Sequence, residues 1–410
     1  MIEQLRRLAF VATGAIAGCA LQPSPDGSVA GGCAPGGCPA CPVCPAQPAA
    51  LPRANPLEQV DFSALTGWKD GEQAAAWNAL LASCRALRWR EAWRGVCARA
   101  MELHSPSDEE ARRFLEGHFV PWRLANPDGV LEGVITGYYE PLLRGSRTRA
   151  APYLYPLYGP PDDLLTIDLA TVSPELRGLR LRGRVEGKRV VPYYSRAEIA
   201  RGAAPVAGKE ILWVDDPIEA FFLHIQGSGR VQLDSGETLR LGYADQNGHP
   251  FQSIGRHLVE RGELKLEETS MQSIKSWAAA NPQRLEELLN QNPSFVFFRE
   301  LPLADPAGGP VGALGVPLTA GRSIAVDPRY VPLGAPVFLA TTHPASATPL
   351  TRLVVAQDTG GAIRSPVRAD FFWGSGAEAG AQAGRMRQPG RMWVLLPKDL
   401  KPNPAGVVAP

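Results

Sequence analysis

After Pro127 the chain breaks into short β-prone runs with Gly and Pro between them, and this texture limits the fold more than any other feature. Val134 to Tyr139, Arg189 to Tyr194, Glu210 to Val214, Phe221 to Ile225 and Thr238 to Tyr243 are bounded by turn formers, so they read as strands. A second block, from about Val311 to Leu396, suggests strands at Ser323–Val326, Val337–Ala340, Arg352–Gln357, Ala369–Trp373 and Met392–Leu396. Strands so spaced, with few helices between them, favour a small barrel over a doubly wound sheet.

Helices are predicted around and between these blocks. From Glu72 to about Met101, Trp77, Leu80, Leu81, Cys84 and Leu87, then Trp93, Val96 and Cys97, recur at spacings of three and four, the pattern of two amphipathic helices. A third starts at Ser107, where Asp108, Glu109 and Glu110 suit the positive end of a helix dipole, and ends near Phe119. Ser195 and Glu198 form a capping box opening a short helix that stops at Gly202. Further helices are predicted at about 252–261, 271–280 and 283–291.

The N-terminus reads as an export signal. Arg6 and Arg7 precede an apolar run from Leu8 to Ala17, too short to span a bilayer as a mature helix. It ends in Ile16-Ala17-Gly18-Cys19, the layout of a bacterial lipobox, which makes 1–18 a signal peptide and Cys19 the site of acylation. Several acyl chains anchor stably where one is marginal. Ala rather than Asp at position 20 fits sorting to the outer membrane of a Gram-negative bacterium, facing the periplasm. Residues 19–56 are rich in Pro, Gly and Ala and cannot bury a core, so they read as a tether. Cys33, Cys38, Cys41 and Cys44 lie within it; disulfides suit an oxidising compartment, and a metal site is the alternative. Cys84 and Cys97 are candidates for a structural bridge.

A length of 410 residues suggests two or three domains. The net charge of +1 leaves no basic surplus to neutralise phosphates, which argues against nucleic acid as a partner. The six histidines show no ligand spacing, so neither a catalytic metal nor a cofactor is expected. No nucleophile elbow, P-loop or dinucleotide fingerprint occurs, and carboxylate chemistry remains.

Three aspartates of the second block sit where such chemistry would want them. Asp327 follows a predicted strand, Asp358 opens Asp-Thr-Gly-Gly, and Asp370 precedes Phe371-Phe372-Trp373-Gly374. Aromatic neighbours desolvate a carboxyl and favour its protonated form, as a general acid needs. The structural alternatives are turn donors for Asp327 and Asp358, and an arginine partner for Asp370.

At these residues the sequence resembles the membrane-bound lytic murein transglycosylase A family, over nearly all of 60–400. The resemblance is carried by Thr136-Gly137-Tyr138-Tyr139-Glu140-Pro141, Phe222 to Gly229, Asn247-Gly248-His249-Pro250, Asn292 to Phe298 and Gln357 to Gly374. It implies a mainly β fold with flanking helices (α+β): a double-ψ β-barrel domain and a smaller inserted β-barrel domain, with a groove between them. Mapped here, 57–137 and 303–400 form the discontinuous catalytic domain, and 138–302 the glycan-binding insert. Asp370 carries over as the catalytic residue, although many relatives have a His-Phe-Asp type triplet where this chain has Arg368-Ala369-Asp370. Asp358, Asp327, Gln226, Ser228, Gly229, Tyr138 and Tyr139 carry over as groove or supporting residues.

The activity so implied is non-hydrolytic cleavage of peptidoglycan glycan strands at the MurNAc-β-1,4-GlcNAc bond, leaving 1,6-anhydromuramyl ends, by a monomer. The alternatives are a hydrolase on the same barrel and an expansin-like glycan binder without catalysis.

Overall fold

The computed structural model describes residues 55–169, 171–172, 181–302 and 308–402. The signal peptide, Cys19 and the four-cysteine segment of the tether lie outside the described residues.

The described chain opens with strand β1 (Leu57–Gln59) and helices α1 (Trp77–Leu87), α2 (Glu91–Glu102) and α3 (Asp108–His118). Ser107 and Glu110 close a reciprocal capping box at the start of α3. A disulfide joins Cys84 of α1 to Cys97 of α2, with Cα atoms 5.0 Å apart. Strands β2 (Phe119–Leu124) and β3 (Gly133–Glu140) follow. Next come β4 (Leu142–Ser146), β5 (Tyr155–Tyr158), β6 (Leu165–Ile167), β7 (Leu181–Glu186), β8 (Arg189–Pro192), α4 (Arg196–Ala200) and β9 (Glu210–Val214). They lead into α5 (Pro217–Gln226), β10 (Ser228–Leu233) and β11 (Thr238–Gln246). Helices α6 (Ile254–Glu260), α7 (Met271–Ala280) and α8 (Leu285–Asn290) precede β12 (Val296–Leu301). The last stretch holds β13 (Ser323–Val326), β14 (Pro336–Thr342), β15 (Pro349–Asp358), β16 (Arg368–Ser375), α9 (Gly376–Ala383) and β17 (Arg387–Pro397).

Strand β17 pairs with β14 on one side and with β3 on the other, so β3, β16, β13, β15, β14 and β17 close into a ring. Two of its pairings, β16 with β3 and β13 with β15, are parallel. Closure with mixed strand directions fits the double-ψ barrel that the resemblance implies. Its interior and the packed faces of α1 and α2 share one core, including Leu80, Leu87, Ile324, Val326, Phe338, Val354, Phe371 and Val394. Each such buried side chain stabilises by about 1.5–3 kcal/mol, which offsets the ordering of a chain with many turns.

The second sheet has the order β12-β11-β10-β4-β9-β5, with β12 lying near β5. Leu143, Leu212, Leu223, Val231, Leu241 and Phe298 fill it. The fold is therefore mainly β with flanking helices, a barrel and a smaller β unit inserted into its chain.

One expectation needs correction. Phe221–Ile225 is helical, not a strand: Asp216 caps Ile218 and Glu219, Pro217 takes the first turn, and both faces of α5 are buried. Continuous burial had removed the alternation that separates a helix from a strand. Strand β3 pairs with β16 as far as Glu140↔Ser375.

Candidate active site

Strand register places the chemistry. Ala325 of β13 lies opposite both Asp358 on β15 and Asp370 on β16, and Asp370 lies opposite Thr136 on β3. Side chains directly opposite in a sheet share a face, so Asp358, Ala325, Asp370 and Thr136 form one row across four strands. The methyl group of Ala325 leaves room between the two carboxyls.

The Thr136 hydroxyl donates to Asp370 Oδ1 at 2.7 Å. Burial pushes the Asp370 carboxyl above the usual carboxylate range, against the pull of Thr136 and Arg368, and the charge of Asp358 adds to the rise. The next residue on its face is Phe372, whose ring packs 5.2 Å from that of Tyr138. Phe371 points instead into the barrel core. Among the described residues Asp370 makes no ion pair, so the arginine-partner alternative is not realised.

Asp358 accepts three hydrogen bonds, from the Tyr138 hydroxyl at 3.2 Å and from the backbone N–H groups of Ala313 and Thr359, both at 2.9 Å. Burial raises its carboxyl too, and these donors hold the rise in check. The preceding Gln357 fixes the strand end: its Nε2 donates to Ala79 O at 2.8 Å and Ser83 Oγ at 2.9 Å.

Asp327 sits elsewhere. Its side chain has no exposed surface, and it accepts from the Arg329 guanidinium and from Ser365 N–H at 3.1 Å. Burial alone would raise its carboxyl, but Arg329 and the backbone donors bring it below the usual range. It therefore braces the loop between Asp358 and Asp370 through Ser365 and Arg329.

From the facing unit, Gln226 accepts from the Tyr139 backbone N–H at 3.1 Å. Gly227 ends α5 at φ +75°, a conformation glycine adopts without strain, and turns the chain into Ser228. Ser228 is partly exposed, whereas Gly229 is buried against Leu223 and Pro141. Tyr138 and Tyr139 take different directions. Successive strand residues point to opposite faces, so Tyr138 meets Asp358 while Tyr139 turns to Met271 and α9. There it lines a cleft of about 400 Å³ together with Glu219, Met271 and Lys275 of the insert and Gly380 of α9.

Thr136 was not among the expected site residues, and only its cross-strand register with Asp370 reveals it. Its hydrogen bond favours the ionised acid. Thr136→Val should therefore raise the pKa of Asp370 further and move the alkaline limb of any acid-dependent activity to higher pH. A limb that stays in place or moves down would remove Thr136 from the site.

Residues 134–299 match the family model of the MltA specific insert domain, and residues 322–396 that of the 3D domain. Membrane-bound lytic murein transglycosylase A of Escherichia coli K12 is 35% identical over 283 residues, 67% of this chain and 68% of that protein. The chain belongs to the membrane-bound lytic murein transglycosylase A family. The crystal structure of MltA from Neisseria gonorrhoeae is 40% identical with a TM-score of 0.73, covering 87% of this chain and 99% of that one. The structure of E. coli MltA with bound chitohexaose is 28% identical with a TM-score of 0.63, covering 83% and 94%. Transglycosylase A relatives are named membrane-bound, and no described helix here is long and apolar enough to cross a membrane. Nor do the described residues contain a group of three or more His, Cys, Asp or Glu placed to hold a metal ion.

Proposed function

We propose that this chain is a lytic transglycosylase that cleaves the MurNAc-β-1,4-GlcNAc bond of peptidoglycan glycan strands, with Asp370 as acid and then base. The observation that carries this reading is the desolvated Asp370 carboxyl, held by Thr136 in the same row as Asp358. Family membership supports the substrate class.

Protonated Asp370 gives its proton to the glycosidic oxygen as the bond to C1 breaks, and the leaving sugar departs with a 4-hydroxyl. The carboxylate then takes the proton of the C6 hydroxyl while O6 bonds to C1. The ring closes as a 1,6-anhydromuramyl end, no water is consumed, and Asp370 finishes protonated. The attack is intramolecular and has the proximity advantage of such reactions. Asp358 supports developing positive charge at C1 and the orientation of the groove. Ordinary glycosidases need a second carboxylate as nucleophile or base, a role O6 makes unnecessary.

The barrel residues (57–137 and 303–400, with β3 complete to Glu140) act as the catalytic domain and the insert as the glycan-binding domain, in one monomer. The experiment is mass spectrometry of fragments released from purified sacculi in oxygen-18 water. Anhydro ends, one water lighter than hydrolytic ends and not reducible, are expected. Labelled reducing ends would indicate a hydrolase, and intact strands with a folded protein would indicate a binding module.

The same reading places the enzyme at the outer membrane through acylated Cys19, facing the periplasm. Cys19→Ala should abolish acyl labelling and release by the lipoprotein signal peptidase. Wild-type protein found soluble and unacylated would remove the anchor.

A further inference from the structure

Two guanidinium groups stand beside the catalytic row with little to balance them. Arg368 lies two residues before Asp370 on β16 and so on the same face. Its Nη1 donates to the backbone carbonyls of Val134, at 3.2 Å, and Ala369, and it makes no ion pair among the described residues. Arg387 begins β17 directly opposite Thr136, the residue that holds Asp370. Arg387 therefore continues the row Asp358–Ala325–Asp370–Thr136 by one more strand, about 10 Å from Asp370 across two strand spacings. That span lies within reach of an arginine side chain and one bound sugar.

The electrostatics agree with the register. Burial lowers the pKa of Arg368 most, Asp370 opposes this, and the charge of Arg387 lowers it again, so the two cations lie near enough to repel. Arg387 is exposed and makes no ion pair among the described residues. Its neighbour along the strand behaves differently: Arg391 is neutralised by Glu132 at 3.0 Å. The other nearby carboxylate, Asp358, is occupied by Tyr138, Ala313 and Thr359. A cation beside a group that must hold its proton works against acid catalysis unless the substrate brings an anion. Guanidinium forks match carboxylates in shape and charge.

We infer that Arg368 and Arg387 form a binding site for a substrate carboxylate beside the scissile bond. Resting on the peptidoglycan reading, the carboxylate is one carried by a muramyl residue. It is the lactyl carboxylate where the stem peptide is absent, or a carboxylate of the stem peptide where it is present. The site thus selects muramyl-containing strands over neutral N-acetylglucosamine polymers of the same backbone.

The test measures binding in full-length Asp370→Asn, so that nothing is turned over, with three probes. Chitohexaose carries no carboxylate, amidase-stripped glycan strands carry the lactyl carboxylate, and peptide-bearing strands carry those of the peptide. One or both anionic probes should bind at least about tenfold more tightly than chitohexaose, as a charge-assisted hydrogen bond would give. Whichever does identifies the source. Adding Arg387→Gln or Arg368→Gln should remove most of that ratio while chitohexaose affinity stays within about twofold. Arg387→Lys should keep part of it, and raised salt should narrow it. A ratio unchanged in both Gln variants, with native melting curves, would overturn the inference. Failure of every probe to bind the parent would instead overturn the peptidoglycan reading on which it rests.

Discussion

Asp370→Asn is expected to give a folded chain that still binds glycan strands but turns them over at least ~10²–10⁴-fold more slowly, the usual cost of losing a general acid or base. Asn keeps the size of the side chain and an oxygen that can accept from Thr136, so the row should stay in place. It can neither give the proton to the leaving oxygen nor take one from O6. The same substitution carries a stability signature. Because burial lifts the Asp370 carboxyl above its ordinary 3.8, the folded state binds that proton more tightly than the unfolded state does. Wild-type stability therefore falls as pH rises from about 4 through the raised pKa, and Asn escapes this penalty. The variant should melt higher than wild type at pH 7, and the difference should vanish below the unfolded-state value. Wild-type turnover should likewise be full below the raised pKa and decline above it. Turnover retained in Asp370→Asn would end the mechanism; lower melting at pH 7 would end the account of a desolvated acid.

What the sequence disclosed and what it withheld divide by range of interaction. The capping boxes at Ser107 and Ser195 were legible because each is complete within four residues. Strand β13 was legible as Ser323–Val326 because turn formers bracket it. Helix α9 escaped, since Gly376–Ala383 is mostly Gly and Ala and shows no apolar stripe. Phe221–Ile225 was read from its apolar run alone, although Asp216-Pro217 already announced a helix start. At the site, residue types were readable and directions were not. Nothing local tells Tyr138, which meets Asp358, from Tyr139, which turns to Met271. Nor does local sequence separate Asp327, neutralised by Arg329, from the two raised carboxyls. The hydrogen bond from Thr136 to Asp370 joins residues 234 positions apart, and only the closed barrel brings them together.

Glu140→Gln should be the most destabilising single change outside the core, by about 3–5 kcal/mol, the usual consequence of removing one partner from a buried ionic group. Glu140 ends β3 where the chain leaves the barrel, and its carboxylate has no exposed surface. It accepts from Arg230 Nε at 2.8 Å, from Arg240 Nε at 2.9 Å and from Ser375 Oγ at 2.7 Å. Both arginines come from strands of the inserted sheet, while Ser375 ends the strand that carries Asp370. The same guanidiniums donate to the carbonyl of Gly308, on the stretch returning toward β13. One carboxylate thus gathers the departing crossing, the returning crossing and the end of the catalytic strand. Without its charge, two guanidiniums, one of them almost fully buried, lose the carboxylate they share. Urea unfolding should show the loss as a lower midpoint, and a loss below about 1 kcal/mol would mean that water already screens the cluster. Replacing Glu140, Arg230 and Arg240 together with apolar residues of similar volume should recover much of the stability, because no charge is then left buried alone. Turnover in that triple variant separates two roles. If the ion cluster sets how the insert faces the aspartate row, activity stays low although the fold has recovered; if it serves stability alone, activity returns with the fold.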